Sequence, residues 1–233
     1  MKLENVRALI TGGGTGIGKE TARLLVEGGA KVVITGRRKD VLEEAAREVG
    51  AIPVVLDVRS EDEVRNGVSQ AVEKLGGLNV LVNNAGFGNF GPLLELDVQD
   101  FREVMETNVF GAMLMAKEAA RHFVEHGGGN IINVSSTAGS RGFAGGTAYT
   151  ASKFALGAMT ECWRAELRKH EVRVMQVNPS EVLTDFGKTA GYEQKQSEKK
   201  LRPLEIAHAI KSMLEMDDRG FITELTVFAT NPD

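Results

Sequence analysis

Short apolar segments alternate with amphipathic segments from one end of the chain to the other. The apolar segments are continuous and rich in Val, Ile and Leu, a pattern typical of parallel strands that are covered on both faces. They predict strands at Val6–Ile10, Lys31–Thr35, Ile52–Leu56, Leu78–Val82, Asn130–Val134 and Val172–Val177, and a last strand at the sheet edge within Phe221–Phe228.

The segments between these strands have helical periodicity. In the first of them Ala22, Leu25 and Val26 fall on one face. Helices are predicted at Lys19–Glu27, Lys39–Val49, Asp62–Leu75, Asp100–Glu125 and near Pro203–Leu214. The alternation predicts a single α/β domain over residues 1–233, with a doubly wound parallel β-sheet and helices on both faces. The polar, charged segment Gly187–Lys200 is expected to be a mobile substrate loop of that domain.

Composition narrows the class of protein. Of 233 residues 42% are apolar and 26% are charged, as in ordinary globular proteins, and the net charge of −4 gives no indication of nucleic-acid binding. No apolar run approaches the roughly 20 residues of a membrane span, and the N-terminus leads into the first strand without space for a signal peptide. We therefore expect a cytoplasmic protein with a small-molecule substrate and with neither a membrane nor a nucleic-acid partner.

Two residue types that carry chemistry in other proteins are interpreted as structural here. Cys162 is the single cysteine and lies beside Trp163 in an apolar helical pattern, so a buried, unreactive thiol is expected. His122 and His126 are four residues apart on a predicted helix, but no further ligand type accompanies them, and no metal site is predicted.

A glycine-rich turn, TGGGTGIG, follows the first strand and precedes a helix. Glycines at this place allow a tight turn and let backbone N–H groups approach a pyrophosphate at the helix N-terminus, where the helix dipole favours anions. The context predicts a Rossmann-type dinucleotide site whose turn residues are Gly12, Gly14, Thr15, Gly16, Ile17 and Gly18.

The end of the second strand indicates which dinucleotide is bound. A carboxylate at this place would accept hydrogen bonds from the ribose 2′-OH of NAD, but the chain has Gly36 followed by Arg37 and Arg38. Guanidinium groups match a phosphate with paired, charge-assisted hydrogen bonds, whereas cations are poorly placed at a helix N-terminus. The pattern therefore favours NADPH/NADP+ as the cofactor.

A second constellation points to proton transfer. Tyr149 and Lys153 are four residues apart and share one face of a helix. A phenol of ordinary pKa ~10 needs a shift of roughly three units to act near neutrality, and a neighbouring ammonium supplies part of it. Ser136 follows the strand Asn130–Val134 at the carboxyl edge of the sheet, where open α/β folds bind ligands. A purely structural loop-capping role fits Ser135 better than Ser136.

Taken together, these motifs resemble the short-chain dehydrogenase/reductase family, and most closely its 3-oxoacyl-[acyl-carrier-protein] reductase-like members. The pattern TGxxxGxG is met at Thr11, Gly12, Gly16 and Gly18. The order of the motifs agrees from strand one to about Pro203. The other matching positions are Asn83-Asn84-Ala85-Gly86, Asn108, Ser136 and the pair Tyr149 and Lys153.

The resemblance implies a role for each matching residue. Tyr149 would be the general acid, Lys153 would bind the nicotinamide ribose and lower the Tyr149 pKa, and Ser136 would orient the carbonyl. Asn108 would sustain a water-linked proton relay. Further cofactor contacts are implied at Asp57 and Val58 (adenine, at the end of strand three), at Asn84, Ala85 and Gly86 (the middle of the cofactor), and at Pro179, Val182 and Thr184 (the carboxamide).

The expected reaction is the NADPH-dependent reduction of a ketone to an alcohol, with a 3-oxoacyl thioester as one candidate substrate. Lys188, Lys195, Lys199 and Lys200 could meet an acidic carrier, although a solvated loop explains them more simply. Ser180 stands where the family has Gly, which leaves small diketones or pterin-type carbonyls open. An idle NADP(H)-binding sensor or scaffold is a further alternative, whereas a nucleotide-sugar epimerase is disfavoured by the glycine spacing. By resemblance a homo-oligomer, a tetramer or a dimer, is expected.

Overall fold

The computed structural model describes residues 1–190 and 197–231. Its strands form one parallel sheet of seven strands in the order β3-β2-β1-β4-β5-β6-β7. The strands are β1 (Arg7–Thr11), β2 (Lys31–Gly36), β3 (Ile52–Val55), β4 (Val80–Asn83), β5 (Gly129–Val134), β6 (Val172–Pro179) and β7 (Glu224–Val227). The predicted doubly wound parallel sheet is confirmed.

Helices cover both faces of this sheet. They are α1 (Gly16–Glu27), α2 (Lys39–Val49), α3 (Glu61–Leu75), α4 (Val98–Met105), α5 (Ala112–Glu125), α6 (Thr147–Leu167), α7 (Phe186–Thr189) and α8 (Pro203–Glu215). Neighbouring strand residues point to opposite faces, so Ile10 packs with α1, α2 and α8 while Leu9 packs with α3 and α5. Continuous apolar strands are therefore needed to fill two cores.

The long helix that the pattern predicts over Asp100–Glu125 is interrupted. Between α4 and α5 the backbone forms a π-helical segment, Glu106–Gly111, which contains the buried Asn108. Inserted π turns often occur at functional sites, because the extra residue redirects the side chains of one helix face. Apolar periodicity does not reveal such an insertion.

Two further expectations are corrected, and a third lies partly outside the described residues. Strand β3 ends at Val55, so Asp57 and Val58 lie in the following turn, while β4 begins at Val80. Cys162 is exposed, because it lies on the outer side of α6, and the expectation of a buried thiol is wrong. Of the loop expected at Gly187–Lys200, residues 191–196 lie outside the described residues.

The two histidines that are four residues apart lie at the end of α5 and contact each other. His122 accepts a hydrogen bond from the Leu78 N–H at 3.2 Å and stacks on His126 with the ring centroids 3.9 Å apart. Over residues 1–190 and 197–231 there is no group of His, Cys, Asp and Glu that could hold a metal ion, nor a helix long and apolar enough to cross a membrane. Strand β7 lies at the sheet edge beside β6, as predicted.

Candidate active site

A cleft of about 1440 Å³ opens at the carboxyl edge of the sheet. The chain order reverses between the adjacent strands β1 and β4, and in open α/β sheets ligands bind at such a switch point. Segments that follow β1, β2, β4, β5 and β6 line the cleft. Nearly all predicted site residues are among the residues that line it.

The glycine-rich turn forms the floor of the cleft. Gly12 has φ +64°, and a Cβ there would lie 3.0 Å from the Ala85 Cα. A Cβ on Gly18 would lie 2.5 Å from the carbonyl oxygen of Gly12, so neither position accepts a side chain without rearrangement. Thr15 precedes α1 without a side-chain cap, which leaves the first N–H groups of the helix to bind an anion.

Thr11 and Asn84 join this turn to the end of β4. The Thr11 hydroxyl accepts hydrogen bonds from the N–H groups of Asn84 and Ala85, each at 2.9 Å. The Asn84 amide donates to the carbonyl oxygens of Thr11 at 2.9 Å and Gly12 at 3.2 Å. Thr11 therefore belongs to the site as a positioning residue. It is the first residue of the TGxxxGxG pattern, but the pattern did not indicate this role.

Arg37 and Arg38 lie at the far end of the cleft, after β2. Both are exposed, and across the described ranges neither has a salt bridge. Nearby, Asp57 is held by Arg59, whose Nε lies 2.9 Å from Oδ2. Burial raises the pKa of Asp57, but the hydrogen bonds from Arg59 outweigh this effect and the net pKa is lowered. Arg37 also helps to lower the pKa of Asp57 through its charge. Among the described residues, Arg37 and Arg38 are therefore two cations of this end that no carboxylate holds in a salt bridge.

Tyr149 and Lys153 lie on α6 at the opposite end. The Lys153 Nζ is 5.6 Å from the centre of the Tyr149 ring and donates a hydrogen bond to the Val134 carbonyl at 2.9 Å. Lys153 is buried, and this burial lowers its pKa from 10.5 to about 8. The amine is therefore mainly an ammonium at neutral pH, close to a phenol.

Ser135 and Ser136 are adjacent after β5, but their hydroxyls differ in their partners. Ser136 caps the turn after β5, where its Oγ accepts from the Ala138 N–H at 3.1 Å, whereas the buried Ser135 Oγ has no partner within the described parts of the chain. The expectation that Ser135 is the capping residue is wrong. Ser136 still lines the cleft, and its cap fixes the hydroxyl oxygen while leaving the proton to point elsewhere.

Asn108 reaches the site from the π-helical segment. Its Nδ2 donates to the carbonyl of Phe87 at 2.9 Å and to the Ser152 hydroxyl at 3.0 Å. Ser152 in turn donates to the Tyr149 carbonyl at 2.7 Å. Asn108 and Ser152 thus connect the loop after β4 to the turn of α6 that carries Tyr149, and no sequence motif indicated Ser152.

The remaining predicted residues close the cleft around β6. Pro179, Val182 and Thr184 all line it, and a Cβ on Gly16 would lie 3.4 Å from the Thr184 Cγ2. Thr184 is thus directly across from the glycine-rich turn. Asp57, Val58, Asn84, Ala85 and Gly86 line the cleft as well, and so do four phenylalanines that no motif indicated, Phe87, Phe90, Phe143 and Phe186.

The fold and this cleft are those of a dinucleotide-binding oxidoreductase. A sequence model described as short chain dehydrogenase matches residues 6–195, and the chain belongs to that family.

An uncharacterized oxidoreductase of Staphylococcus aureus is 34% identical over 223 residues, which are 94% of this chain and 95% of the relative. The crystal structure of a 3-ketoacyl-(acyl-carrier-protein) reductase from Brucella melitensis, complexed with NADH, is similar with a TM-score of 0.91, 31% identity and coverage of 98% of both chains. An alcohol dehydrogenase from Thermococcus sibiricus, complexed with 5-hydroxy-NADP, has a TM-score of 0.86 at 28% identity over 97% of this chain and 98% of that chain. The chain is therefore a Rossmann-type oxidoreductase of the carbonyl/alcohol class.

Proposed function

We propose that the protein reduces a ketone to an alcohol with NADPH, and that Tyr149 is the general acid. The observation that carries this proposal is the position of the buried Lys153 ammonium 5.6 Å from the Tyr149 ring, in the same cleft as Arg37 and Arg38. The two arginines at one end of the cleft fit the 2′-phosphate of NADPH. The proton donor at the other end fits a carbonyl group that lies beside the nicotinamide.

The residues present fit this cofactor. The uncapped start of α1 would hold the pyrophosphate, and Arg37 and Arg38 would hold the 2′-phosphate. Thr35, Thr107 and Ser135 line the cleft, and their buried hydroxyl oxygens have no hydrogen-bond partner in residues 1–190 and 197–231. Unpaired polar atoms directly behind the surface of a cleft fit a site for a polar ligand. The similar structures carry NADH or 5-hydroxy-NADP, so the preference for NADPH rests on the two arginines.

When bound, the reduced nicotinamide supplies the hydride. Tyr149 donates its proton to the carbonyl oxygen, and the Lys153 ammonium stabilises the phenolate that remains. Ser136 donates a hydrogen bond to the same carbonyl oxygen, since its own oxygen is fixed by the Ala138 N–H. Both hydrogens of the Asn108 amide are engaged, so its side chain contributes to the proposed proton relay by positioning.

The test is the consumption of NADPH by the purified protein over a panel of carbonyl compounds, with NADH in parallel. The panel contains 3-oxoacyl thioesters, vicinal diketones, simple ketones and pterin-type carbonyls. Turnover that prefers NADPH and falls by about 10²-fold or more in Tyr149→Phe supports the proposal. Unchanged turnover in this variant refutes it, and binding of NADPH without turnover of any carbonyl favours the idle sensor.

We also propose that the protein is a cytoplasmic homo-oligomer, a dimer or a tetramer. The support is the edge strand β7, which has the exposed Phe228 directly after it, since uncovered strand edges and apolar side chains favour pairing. Light scattering of the purified protein measures the mass of the particle, and a monomer at micromolar concentration contradicts the proposal.

A further inference from the structure

Two phenylalanines contact the ring of Tyr149, and a third extends this group through a contact with one of them. The ring of Phe90, from the loop after β4, lies 5.7 Å from the Tyr149 ring at 88°, and Phe186 of α7 lies 5.3 Å from it. Phe90 also contacts Phe186 at 6.3 Å and Phe143, from the loop after β5, at 5.6 Å. The four rings form one continuous aromatic surface, named the aromatic wall below, around the proposed proton donor.

Two glycines make room for this wall. A Cβ on Gly88 would lie 2.9 Å from the Phe186 ring and 3.0 Å from the Phe90 ring. A Cβ on Gly146 would lie 2.5 Å from the Phe143 ring. Both contacts are shorter than carbon atoms tolerate, so any larger residue would displace the rings. The local sequence is therefore suited to hold them where they lie.

The wall is open to the cleft. Phe143 lines the cleft, and its side chain is 50% exposed. An exposed aromatic side chain in a concave site is typical of a surface that a ligand covers. Phe90 and Phe186 are half-buried and also line the cleft. A molecule whose carbonyl oxygen meets the Tyr149 hydroxyl has its substituents within reach of these rings.

The charges at this end do not indicate an acidic carrier. Lys200 is paired with Glu181 at 2.7 Å, and its side chain is only 11% exposed. Arg141, Glu181 and Asp185 line the cleft here, so cationic and anionic groups are mixed. Of the other lysines considered for this role, Lys195 and the side chain of Lys188 lie outside the described part of the chain. The charged residues described at this end therefore have no single sign, whereas the aromatic rings next to the proton donor are continuous.

We infer that the aromatic wall selects ketones in which an aryl group is attached to the carbonyl carbon; this inference rests on the proposed function. An aryl group is flat and presents both a face and an edge, so it can continue the edge-to-face arrangement that Phe90 and Tyr149 already have. In the reaction, the carbonyl carbon gains a hydride from NADPH and the oxygen gains the Tyr149 proton. The aryl ketone becomes a secondary alcohol and NADPH becomes NADP+.

Three methyl ketones of equal carbon number separate aromatic recognition from simple hydrophobicity: acetophenone, cyclohexyl methyl ketone and octan-2-one. The wild type is expected to reduce acetophenone with a kcat/KM about tenfold above that for octan-2-one, and with cyclohexyl methyl ketone between them. Equal values for the three ketones, or a 3-oxoacyl thioester as the best substrate by more than tenfold, would overturn the inference.

Substitutions test the individual rings. Phe90→Leu is expected to lower kcat/KM for acetophenone by about five- to tenfold and that for octan-2-one by less than about twofold. Gly146→Ala keeps every ring but must displace Phe143, and we expect a similar selective loss, which covers the case that Phe90→Leu does not fold. Phe154→Leu is the matched control, because this phenylalanine is 45% exposed and does not line the cleft. A parallel loss for all ketones in Phe90→Leu and Gly146→Ala contradicts a selective role.

Binding of acetophenone, followed by ligand-observed NMR, separates this inference from the proposed function. Binding that persists in Tyr149→Phe and weakens in Phe90→Leu supports the aromatic wall even if no carbonyl is turned over. Turnover that requires Tyr149 but shows no aryl preference leaves the reductase intact and overturns the aromatic assignment.

Discussion

The side-chain amide of Asn108 pairs with the backbone of Phe87 as a neighbouring strand would. Its Oδ1 accepts from the Phe87 N–H at 3.0 Å, and its Nδ2 donates to the Phe87 carbonyl at 2.9 Å. Through this pair the π-helical segment holds the loop that carries Gly86 and Phe90. A Cβ on Gly86 would lie 3.0 Å from the Asn108 Oδ1, so the approach leaves no space for a side chain.

Replacing this amide should destabilise the protein and impair the site together. Asn108→Ala removes the partners of the Phe87 N–H and carbonyl in a partly buried setting, and we expect a loss of about 1–3 kcal/mol in the free energy of unfolding. Urea denaturation measures this loss, and kcat on any accepted ketone should fall more than KM rises. Asn66→Ala, at an exposed position of α3, is the control. An Asn108→Ala variant as stable as the wild type would disprove the structural role of the pair.

The preference for NADPH is expected to depend on Arg37 and Arg38. Replacing both Arg37 and Arg38 by Ser removes the proposed partners of the 2′-phosphate, so the KM for NADPH should rise by about 10- to 100-fold while that for NADH stays nearly constant. Arg168→Ser, an exposed arginine outside the cleft, is the control. Equal changes in the KM values for NADPH and NADH would show that Arg37 and Arg38 do not recognise the 2′-phosphate.

The buried amine should make the wild type less stable than it could be at neutral pH. Folding lowers the pKa of Lys153 from 10.5 to about 8, so between these values the unfolded chain binds more protons and stability rises with pH. Lys153→Met removes the buried charge. Lys153→Met also removes the hydrogen bond to the Val134 carbonyl at every pH, so the pH dependence carries the prediction. Between pH ~7 and pH ~10.5 the free energy of unfolding of the wild type is expected to rise relative to that of the variant by up to about 3 kcal/mol. Urea denaturation at both pH values measures the difference, and a difference between wild type and variant that does not change with pH would refute the expectation.

His122 should make the free energy of unfolding depend on pH in a more acidic range than Lys153 does. Its pKa is lowered from 6.5, mainly by burial and then by His126, with the Glu125 carboxylate acting against both. Stability is therefore fully present above about pH 6.5 and is lost as the pH falls below it, because the unfolded chain then takes up the proton more readily. Comparing wild type and His122→Leu in urea between about pH 7.5 and pH 5.5 isolates this contribution. A wild type that gains stability on acidification relative to the variant would contradict the sign.

Glu171 is the one non-glycine residue with positive φ, 57°, across the described residues. It lies in the left-handed region after α6, where a side chain costs roughly 1–2 kcal/mol. Glu171→Gly is expected to raise the free energy of unfolding by about 1 kcal/mol, and Glu171→Ala, which keeps the strain, should not. Thermal denaturation compares the two, and equal effects would rule out backbone strain as the cause.

Much of this architecture can be predicted from the sequence, since two simple signals determine it. Continuous Val, Ile and Leu segments are required wherever a strand such as β5 is buried on both faces. Turn glycines such as Gly12 are required where a Cβ would collide with the segment that follows β4. The sheet and the glycine-rich floor of the cleft follow from these signals.

What the sequence does not reveal depends on contacts between distant segments. The π-helical insertion at Asn108 preserves apolar periodicity on both sides, so the pattern reads as one helix. Ser136 and Ser135 are adjacent, and only the turn that follows β5 decides which hydroxyl becomes a cap. The aromatic wall joins residues such as Phe90 and Phe186, which lie far apart along the chain and carry no motif.

The exposed thiol on α6 makes the protein convenient for spectroscopy. Cys162 is the single cysteine in the chain, so a maleimide dye attaches at one position without prior mutagenesis. It lies thirteen positions after Tyr149 in the same helix, which corresponds to about 20 Å along the helix axis. At that distance a label stays outside the cleft yet remains within the range of energy transfer from a fluorescent ligand bound there.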